Sequence, residues 1–324
     1  KPMNINGKNY HITPSIGISL YPQDTDSIEM LIRNADSAMF KVKEQGRNSF
    51  QFYTEELTQL ALKRVEIENG MRNALIKKHF VVWYQPQYEI ASGKLVGMEA
   101  LVRWQDPQRG IIPPNDFIPL AEESGLIIEL GKQVIDQVMR QTVIWHNNNL
   151  EPGRIAINLS GKQLFSGDIT SDIKQLLEKN QCRIEWIDLE VTEGFFMSKS
   201  DNAIKRLHEL HNMGFNIALD DFGTGYSSLA HLKHLPISKL KIDHSFVKDL
   251  PYDRDDIGIS RAVIALADGL NLDVIAEGVE TTEQAEFLLQ QGCPLAQGYL
   301  YSKPLPAEEI SQLLQLNKSH ANEF

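Results

Sequence analysis

The sequence predicts an α/β protein: a (β/α)₈ barrel of the TIM type with one antiparallel strand, preceded by a small α/β N-terminal fragment. Beyond residue 79, short apolar runs alternate with amphipathic stretches of helical periodicity, over a length of roughly 240 residues that suits such a barrel. The first two runs are joined only by the Gly-containing link Ile90–Gly93, which favours a hairpin and therefore an antiparallel pair. The predicted strands are Phe80–Gln85, Leu95–Trp104, Arg154–Ser160, Ile187–Glu193, Asn216–Asp221, Ser238–Asp243, Leu272–Glu277 and Leu295–Leu300.

Residues 1–53 have the pattern of a small α/β fragment. His11–Tyr21 is rich in β-branched and aromatic residues, Ser27–Gln45 carries apolar residues at helical spacing, and Ser49–Tyr53 is a short strand candidate. Gly46 is well placed to end the helix. These elements are too few to bury a core alone. We therefore expect the end of a domain that begins upstream, in a longer protein whose upstream part can carry a membrane anchor.

The chain continues with a charged segment of helical pattern at 54–78, which we interpret as a connecting helix to the barrel domain at 79–318. Several helices of the barrel domain have recognisable ends. They are Ile127–His146, Asp201–Met213 before Gly214, and Thr281–Gln291 before Gly292, with Thr281 and Thr282 as N-cap candidates.

The composition is that of a globular protein, with 42% hydrophobic residues, no signal peptide and no apolar stretch long enough to cross a bilayer. The formal net charge of −11 argues against binding to duplex nucleic acid, which is held by basic surfaces. An acidic protein still binds a phosphate ester if bound cations invert the local charge. Cys182 and Cys293 have neither CxxC nor metal-ligand spacing, so we expect free thiols in a reducing cytoplasm.

Nearly every predicted strand ends in, or carries late, a carboxylate, an amide or an amine. These residues are Gln85, Glu99, Asn158, Glu190, Asp220, Asp221, Lys241, Asp243, Glu277 and Gln297. The carboxyl ends of barrel strands meet at one mouth, where barrel enzymes keep their chemistry. Carboxylates gathered there without partners would repel one another and lose hydration. The simplest remedy is a bound cation, and oxygen-only ligands indicate Mg²⁺ or Mn²⁺ rather than zinc.

Two cations are expected because Asp220 and Asp221 are adjacent, so that one carboxylate can bridge two ions. Two metals suit in-line displacement at phosphorus, since they hold both the attacking and the leaving oxygen. The Gly-rich segment Asp221–Leu229 (DFGTGYSSL), also called the Gly-rich loop below, follows directly, either as a mobile loop over the metal site or as an ordinary turn. Several histidine and aromatic residues are further site candidates, and each also has an ordinary structural explanation. The histidine pairs His208/His211 and His231/His234 have helix-face spacing, and Tyr226, Phe246 and Tyr299 either stack on a base or pack in the core.

Several strings resemble the signature of the EAL-domain phosphodiesterases, in order, over about residues 76–315. They are EALVRW (Glu99–Trp104), FIPLAEESGLI (Phe117–Ile127), INLS (Ile157–Ser160), LEVTE (Leu189–Glu193), LDDFGTGYSSL (Leu219–Leu229), LKID (Leu240–Asp243), VIAEGVET (Val274–Thr281) and QGYLYSKPLP (Gln297–Pro306). Two earlier strings, SIGISLYP (Ser15–Pro22) and ADSAMFKVKEQGRNSF (Ala35–Phe50), resemble the C-terminal part of a GGDEF domain. The resemblance implies a barrel that hydrolyses cyclic di-GMP to linear pGpG.

The resemblance also implies roles for individual residues. The first divalent metal would be held by Glu99, Asn158, Glu190 and Asp220; the second by Asp220 and Asp221, with Glu277 as a further ligand or as the base acting on the attacking water. The remaining residues would act on the substrate or around the metals. Lys241 would stabilise developing negative charge, and Gln85 and Arg103 would contact substrate. Gln297, grouped with these substrate-binding residues, would hold a metal-bound water. Glu193 and Glu280 would support the Gly-rich loop and the metal ligands.

The chain departs from the family pattern at Gly194, where the family often has Ser, and it lacks the GGDEF signature. The resemblance leaves two other functions open: a catalytically inactive receptor of cyclic di-GMP that signals to a protein partner, or an enzyme for another phosphate ester. Degenerate relatives lose metal ligands or the catalytic lysine, and this chain keeps them all, which favours the enzyme. The resemblance further implies a homodimer.

Overall fold

The structure, a computed structural model, describes residues 3–5, 8–10, 13–44, 46–165, 168–194, 201–223, 232 and 234–321. By its internal contacts the chain divides into two units, Lys1–Met71 and Arg72–Phe324. The division falls inside a helix that spans Glu55–Lys77, where the sequence predicts a connecting helix. The predicted domain boundaries at 53/54 and 78/79 stay predictions.

The first unit is a small α/β fragment, as predicted. It contains β1 (Met3–Ile5), β2 (Lys8–Tyr10), β3 (Ile16–Ile18), α1 (Ile28–Glu44), β4 (Phe50–Phe52) and most of α2 (Glu55–Lys77). The first two strands pair antiparallel, whereas β3 and β4 pair in parallel. α1 lies so close to β3 that a Cβ at Gly17 would be 1.9 Å from the carbonyl oxygen of Ala35. Glycine is therefore required where this helix crosses the strand.

The second unit begins with the last turn of α2 and contains the remaining elements. Its strands are β5 (Phe80–Glu89), β6 (Leu95–Asp106), β7 (Gly110–Ile112), β8 (Arg154–Asn158), β9 (Ile187–Thr192), β10 (Asn216–Phe222), β11 (Lys239–Ile242), β12 (Asp273–Ala276), β13 (Leu295–Ala296) and β14 (Leu305–Pro306). Its helices are α3 (Pro114–Ser124), α4 (Ile127–Asn147), α5 (Gly161–Phe165), α6 (Ile169–Asn180), α7 (Asp201–Met213), α8 (Arg254–Gly269), α9 (Thr282–Gln290) and α10 (Ala307–Ala321). Of the helices described, none has the length and apolar content that a bilayer span requires.

Eight strands of this unit close into a barrel in the order β5, β6, β8, β9, β10, β11, β12, β13, with β13 returning to β5. β5 runs antiparallel to both of its neighbours, and the other neighbouring pairs of the ring are parallel. The predicted hairpin between β5 and β6 is present, and the amide of Glu89 donates to the carbonyl of Lys94 at 2.9 Å across it. The predicted barrel with one antiparallel strand is confirmed.

Side chains alternate along the barrel strands, so that one set packs under the helices and the other points into the barrel. In β8, Ile155 and Ile157 belong to the hydrophobic core together with Ile135 and Val138 of α4. Asn158 has the opposite parity and faces inward, as the sequence predicts. The main apolar core is thus the layer between sheet and helices, and the barrel interior remains available to polar groups.

An ion-pair network lies inside the amino-terminal end of the barrel. Asp188 of β9 accepts hydrogen bonds from the guanidinium of Arg154 and, at 3.2 Å, from the ammonium of Lys239. These cations open β8 and β11, and Arg154 also donates to the carbonyl of Ile187 at 3.0 Å. The Asp188 side chain is only 4% exposed, so its charge depends on these two partners.

We expect Asp188→Ala to destabilise the barrel, because it leaves two inward-pointing cations without their carboxylate. Removing one partner of a buried ion pair costs about 3–5 kcal/mol. The loss should lie near about 3 kcal/mol, since Arg154 keeps 32% of its side-chain exposure and can rehydrate in part. Urea unfolding followed by tryptophan fluorescence measures it, because all four tryptophans lie in the second unit.

The matched control is Asp172→Ala, which breaks a surface ion pair with Lys132, a residue whose side chain is 41% exposed. That pair should contribute less than about 1 kcal/mol. Equal losses of unfolding free energy in the two variants would contradict the role of Asp188.

Candidate active site

The ammonium of Lys241 is the centre of a charge cluster at the carboxyl end of the barrel. Its side chain has no exposed surface, and its Nζ lies 2.5 Å from Glu277 Oε1 and 2.6 Å from Glu190 Oε2. The same Nζ lies 3.2 Å from Asp220 Oδ1 and 3.5 Å from Glu99 Oε2. Four carboxylates that are scattered over almost 180 residues of sequence therefore share one buried cation.

Strand parity explains how these side chains meet. Lys241 shares the inward parity of Lys239 in β11, whereas Leu240 and Ile242 pack in the apolar core. Glu190 of β9 is opposite Asn158 of β8 and Ala218 of β10 in the parallel register. Every second residue of a strand faces inward, so Asp220, two residues after Ala218 in β10, also points into the barrel interior. Alternation thus delivers one polar side chain per strand to a common level.

Asp221 reaches the site by a different route. It is adjacent to Asp220 in β10, and regular alternation would turn its side chain away from the barrel interior. The strand is irregular here: its register with β11 shifts between Leu219 and Phe222, and Asp221 has the left-handed φ of 55°. Carboxylate oxygens of Asp220, Asp221 and Glu277 consequently lie within 4.8 Å of one another. The bulge supplies a carboxylate that a regular strand would withhold.

The carboxylates form two overlapping groups that could hold metal ions. Glu99, Glu190 and Asp220 offer oxygens within 4.8 Å of one another, and Asp220, Asp221 and Glu277 form the second group. Asp220 belongs to both groups, as the expected bridging ligand should. Carboxylate oxygens with a neighbouring amide suit Mg²⁺ or Mn²⁺ better than softer metals. The donor set therefore fits the divalent cations that the sequence predicts.

Burial and mutual repulsion raise the pKa of several acids of the cluster. Burial, with the neighbouring charges of Glu99 and Asp220, raises the pKa of Glu190 to about 8 despite the attraction of Lys241. Burial and the charge of Asp220 raise the pKa of Asp221 to about 6. The pKa of Glu277 is raised well above its ordinary value for the same reasons. One lysine does not balance these acids, and a bound divalent cation would.

Glu99 differs from its neighbours because amides hold both of its oxygens. Asn158 Nδ2 donates to Oε1 at 2.6 Å, and Gln297 Nε2 donates to Oε2 at 2.7 Å. Burial alone would raise the pKa of Glu99, but Lys241 and these two amides outweigh it and lower the pKa. Gln297 also donates to Gln85 Oε1 at 3.1 Å. The structure thus brings Gln85, Asn158 and Gln297 to the cluster, Gln85 from the middle of the antiparallel strand β5 and not from the carboxyl end of a parallel strand.

Glu193 lies beside the cluster and contacts the start of the Gly-rich segment. Its buried Oε2 accepts a hydrogen bond of 2.8 Å from the amide of Gly223. A Cβ at Gly223 would lie 3.0 Å from the Phe246 ring, and its φ of +98° also favours glycine. Phe246 therefore packs against this segment. Residues 224–231, with Tyr226 and His231, lie outside the described residues, so the predicted loop over the site is described only as far as Gly223.

Other predicted site residues lie at the rim or away from it. Arg103 is half-buried, with its guanidinium 5.7 Å from the centre of the Trp83 ring, and Tyr299 is 58% exposed. Glu280 is exposed, and its backbone amide donates to Gln284 Oε1 at 2.7 Å. The structure does not bring its side chain to the cluster. His208 and His211 lie on α7, as helix-face residues.

One buried polar residue near the site was missed by the sequence analysis. Gln87 is only 4% exposed, and its Nε2 donates to Gln297 Oε1 at 2.9 Å. The predicted first strand, Phe80–Gln85, ended before Gln87, whereas β5 continues to Glu89. The available signal was parity, since Gln87 is two residues beyond Gln85 and so faces the same side of β5.

Comparisons with known proteins agree with these features. The family model described as EAL domain matches residues 68–304, and the model described as diguanylate cyclase, GGDEF domain, matches residues 1–49. Both resemblances seen in the sequence are therefore confirmed. A solved structure of the PaMucR phosphodiesterase in complex with c-di-GMP superimposes with a TM-score of 0.73 and 42% identity, covering 76% of this chain and 99% of that one.

Two curated proteins of Pseudomonas aeruginosa are similar to nearly the whole chain. The bifunctional diguanylate cyclase/cyclic di-GMP phosphodiesterase MucR is 41% identical over 310 residues, which are 96% of this chain and 45% of that protein. The cyclic di-GMP phosphodiesterase NbdA is 38% identical over 315 residues, which are 97% of this chain and 40% of that protein. The chain thus spans less than half of the length of these relatives.

We expect Lys241→Met to lower the stability of the metal-free protein by about 3 kcal/mol, because it removes the cation between buried carboxylates. It should also enlarge the rise in melting temperature that Mg²⁺ or Mn²⁺ produces, since a cation then neutralises more uncompensated charge. Thermal unfolding with and without metal measures both effects. Lys239→Met is the control in the same strand, because Lys239 pairs with Asp188 at the other end of the barrel. A metal response that is equal in the two variants would refute the expectation.

Proposed function

This chain belongs to the EAL-domain family, and from that premise we propose that it is a phosphodiesterase that hydrolyses cyclic di-GMP to linear pGpG with two divalent cations, Mg²⁺ or Mn²⁺. The observation that carries the proposal is the cluster around Lys241, in which every predicted metal-ligand position keeps an oxygen-bearing side chain. The substrate follows from the relatives whose names contain cyclic di-GMP phosphodiesterase.

The two overlapping sets of acids would each hold one cation. The first cation would be held by Glu99, Asn158, Glu190 and Asp220, and the second by Asp220, Asp221 and Glu277. When bound, the cations supply charge neutralisation at the reacting phosphate and acidify water. Asn158 points its Nδ2 at Glu99, so its amide has to rotate by half a turn to present its oxygen to a cation. Such a rotation keeps the side chain in place and exchanges one polar atom for the other.

The residues of the chain then have distinct tasks in hydrolysis. Lys241 already lies among the ligand carboxylates, where it can donate to the phosphoryl oxygen as negative charge develops. Glu277 is our candidate for the acceptor of the proton that the attacking water loses. Its side chain is 17% exposed, against 1% for Glu190, so of these two acids it is the one nearer to solvent. Water attacks phosphorus, the bond to the 3′ oxygen breaks, and that oxygen takes up a proton from solvent and leaves as the 3′ hydroxyl of pGpG.

The rim residues would bind the rest of the nucleotide. Arg103 lies on the inward face of β6, two residue pairs beyond Glu99, and its guanidinium can take a phosphate oxygen. Gln85 is placed between Gln297 and the carbonyl of Ser302, to which its Nε2 donates at 3.2 Å. Glu193 would support the Gly-rich segment through Gly223. The homodimer, the cytoplasmic location and the role of Glu280 remain predictions from the sequence.

The direct test is to incubate the purified chain with cyclic di-GMP and Mg²⁺ or Mn²⁺ and to separate the nucleotides by chromatography. We expect pGpG to accumulate, its formation to stop when EDTA removes the metal, and activity to return when metal is added back. Tight binding of cyclic di-GMP with no pGpG in either metal would contradict the proposal and favour the receptor function. Hydrolysis of another phosphate ester alone would contradict the substrate.

We expect Glu99→Ala to lower the rate of pGpG formation at least about 100-fold, because losing a residue that merely orients a metal ligand already costs about 10–100-fold. The measurement is kcat/KM for cyclic di-GMP at a fixed metal concentration. The control is Asp273→Ala, which removes an exposed carboxylate from the opposite end of β12 and should leave kcat/KM near wild type. Unchanged activity in the Glu99 variant would show that the metal assignment is wrong.

A further inference from the structure

A chain of buried amides crosses the place where the barrel closes. We call this place the seam: it consists of the antiparallel strand β5 and its two barrel neighbours, β6 and β13. Gln85 and Gln87 lie on β5, Glu99 lies on β6, and Gln297 directly follows β13. All four side chains are buried, with exposed fractions of 8% or less.

The hydrogen bonds of the seam run in one direction. Gln87 Nε2 donates to Gln297 Oε1 at 2.9 Å, and Gln297 Nε2 donates to Glu99 Oε2 at 2.7 Å and to Gln85 Oε1 at 3.1 Å. The direction follows from the last acceptor, because an ionised carboxylate can only accept hydrogen bonds. Gln297 must therefore turn its NH₂ group toward Glu99, which leaves its carbonyl oxygen facing Gln87.

The amide of Gln87 provides the hydrogen-bond donor that this orientation of Gln297 requires. A buried carbonyl oxygen without a donor is destabilising, so the orientation of Gln297 is stable only while a donor faces its Oε1. If the Gln297 amide turned over, its oxygen would meet the carboxylate of Glu99, and both groups would lack a proton to share. Gln87 is the residue that the structure places at the other end of Gln297.

The neighbouring strand leaves room for this donor. Gly97 of β6 pairs with Gln87 of β5, and a Cβ built at Gly97 would lie 3.3 Å from Gln87 Oε1 and 2.7 Å from the carbonyl oxygen of Arg154. A side chain at position 97 would crowd both groups. Glycine at position 97 therefore leaves space for the amide of Gln87, which donates to Gln297.

We propose that Gln87 is a positioning residue for the metal site, which acts through Gln297 to hold the carboxylate of Glu99 ready for a divalent cation. The inference rests on the proposed function, in that it takes Glu99 as a metal ligand. Gln87 itself touches neither metal nor substrate in this scheme. Its effect is to fix one oxygen of Glu99 on Gln297, so that the carboxylate enters the site in a single orientation.

The first experiment measures Mn²⁺ binding by isothermal titration calorimetry in the absence of nucleotide. The full chain and its variant Gln87→Met are compared. Methionine keeps the approximate volume of glutamine and removes the donor. We expect the affinity for Mn²⁺ to fall about tenfold, as for other residues that orient a metal ligand. In hydrolysis of cyclic di-GMP, the Mn²⁺ concentration for half-maximal rate should rise by the same factor, while kcat at saturating Mn²⁺ and KM for the nucleotide stay near wild type.

A double-mutant cycle tests the route of the effect. If Gln87 acts through Gln297, then Gln297→Met and the double variant Gln87→Met/Gln297→Met should bind Mn²⁺ equally weakly, because the second substitution has nothing left to disturb. The control is Gln137→Met, which removes a glutamine that donates to the carbonyl of Phe80 at 2.9 Å from α4, outside the barrel interior. This variant should bind Mn²⁺ like the wild type. If Gln87→Met does not fold, Gln87→Asn is used instead. Its shorter side chain keeps an amide but withdraws it from Gln297.

The outcomes separate the inference from the proposed function. Wild-type protein that does not bind Mn²⁺ would overturn both. If the wild-type protein binds Mn²⁺ and Gln87→Met binds it with the same affinity, the positioning role is overturned and the proposed function stays intact. Additive losses in the double variant, or an equal loss in Gln137→Met, would show that Gln87 acts through general packing and would likewise overturn the inference.

Discussion

The interaction on which the rest of the site depends is the burial of one ammonium, that of Lys241, among four carboxylates. Neither the ammonium nor the carboxylates could be buried alone in charged form. An isolated charged group in a protein interior costs several kcal/mol, or the group changes its protonation state. Burial, together with repulsion between neighbouring carboxylates, raises the pKa of Glu190, Asp221 and Glu277, and the carboxylates outnumber the lysine. A bound divalent cation would relieve the repulsion between these carboxylates and would thereby link metal binding to the stability of the barrel.

The barrel makes this cluster possible because it brings inward-facing residues of separate strands to one level. Glu99, Glu190, Asp220 and Lys241 come from β6, β9, β10 and β11, and each has the parity that points into the interior. A slip of one residue in any of these strands would turn its charged side chain toward the apolar layer under the helices. The register of the sheet and the composition of the site therefore constrain each other. The ion pairs of Asp188 at the opposite end reinforce the same register between β8, β9 and β11.

The seam gives the site a second kind of order, made of neutral amides. β5 is the only antiparallel member of the ring described, so Gln85 lies level with Glu99, and Gln87, two residues later, lies deeper in the barrel. The cluster around Lys241 is held by charge, which is insensitive to direction, whereas the amides of Gln87 and Gln297 impose a direction on Glu99. A metal ligand needs both, because attraction alone does not select one orientation of a carboxylate.

The sequence by itself determined the barrel, its antiparallel pair and most members of the site, because period-two alternation and polar strand ends are local patterns that a chain displays before it folds. Glu99, Asn158, Glu190, Asp220 and Lys241 could be selected in this way. Only the tertiary structure decided which atoms meet: that Lys241 contacts four acids, that a left-handed residue turns Asp221 toward Asp220, that Gln87 supports Gln297, and that Glu280 stays exposed. These contacts join residues far apart in the chain, through strand register and a local bulge. Their distances depend on closure of the barrel, which no local pattern encodes.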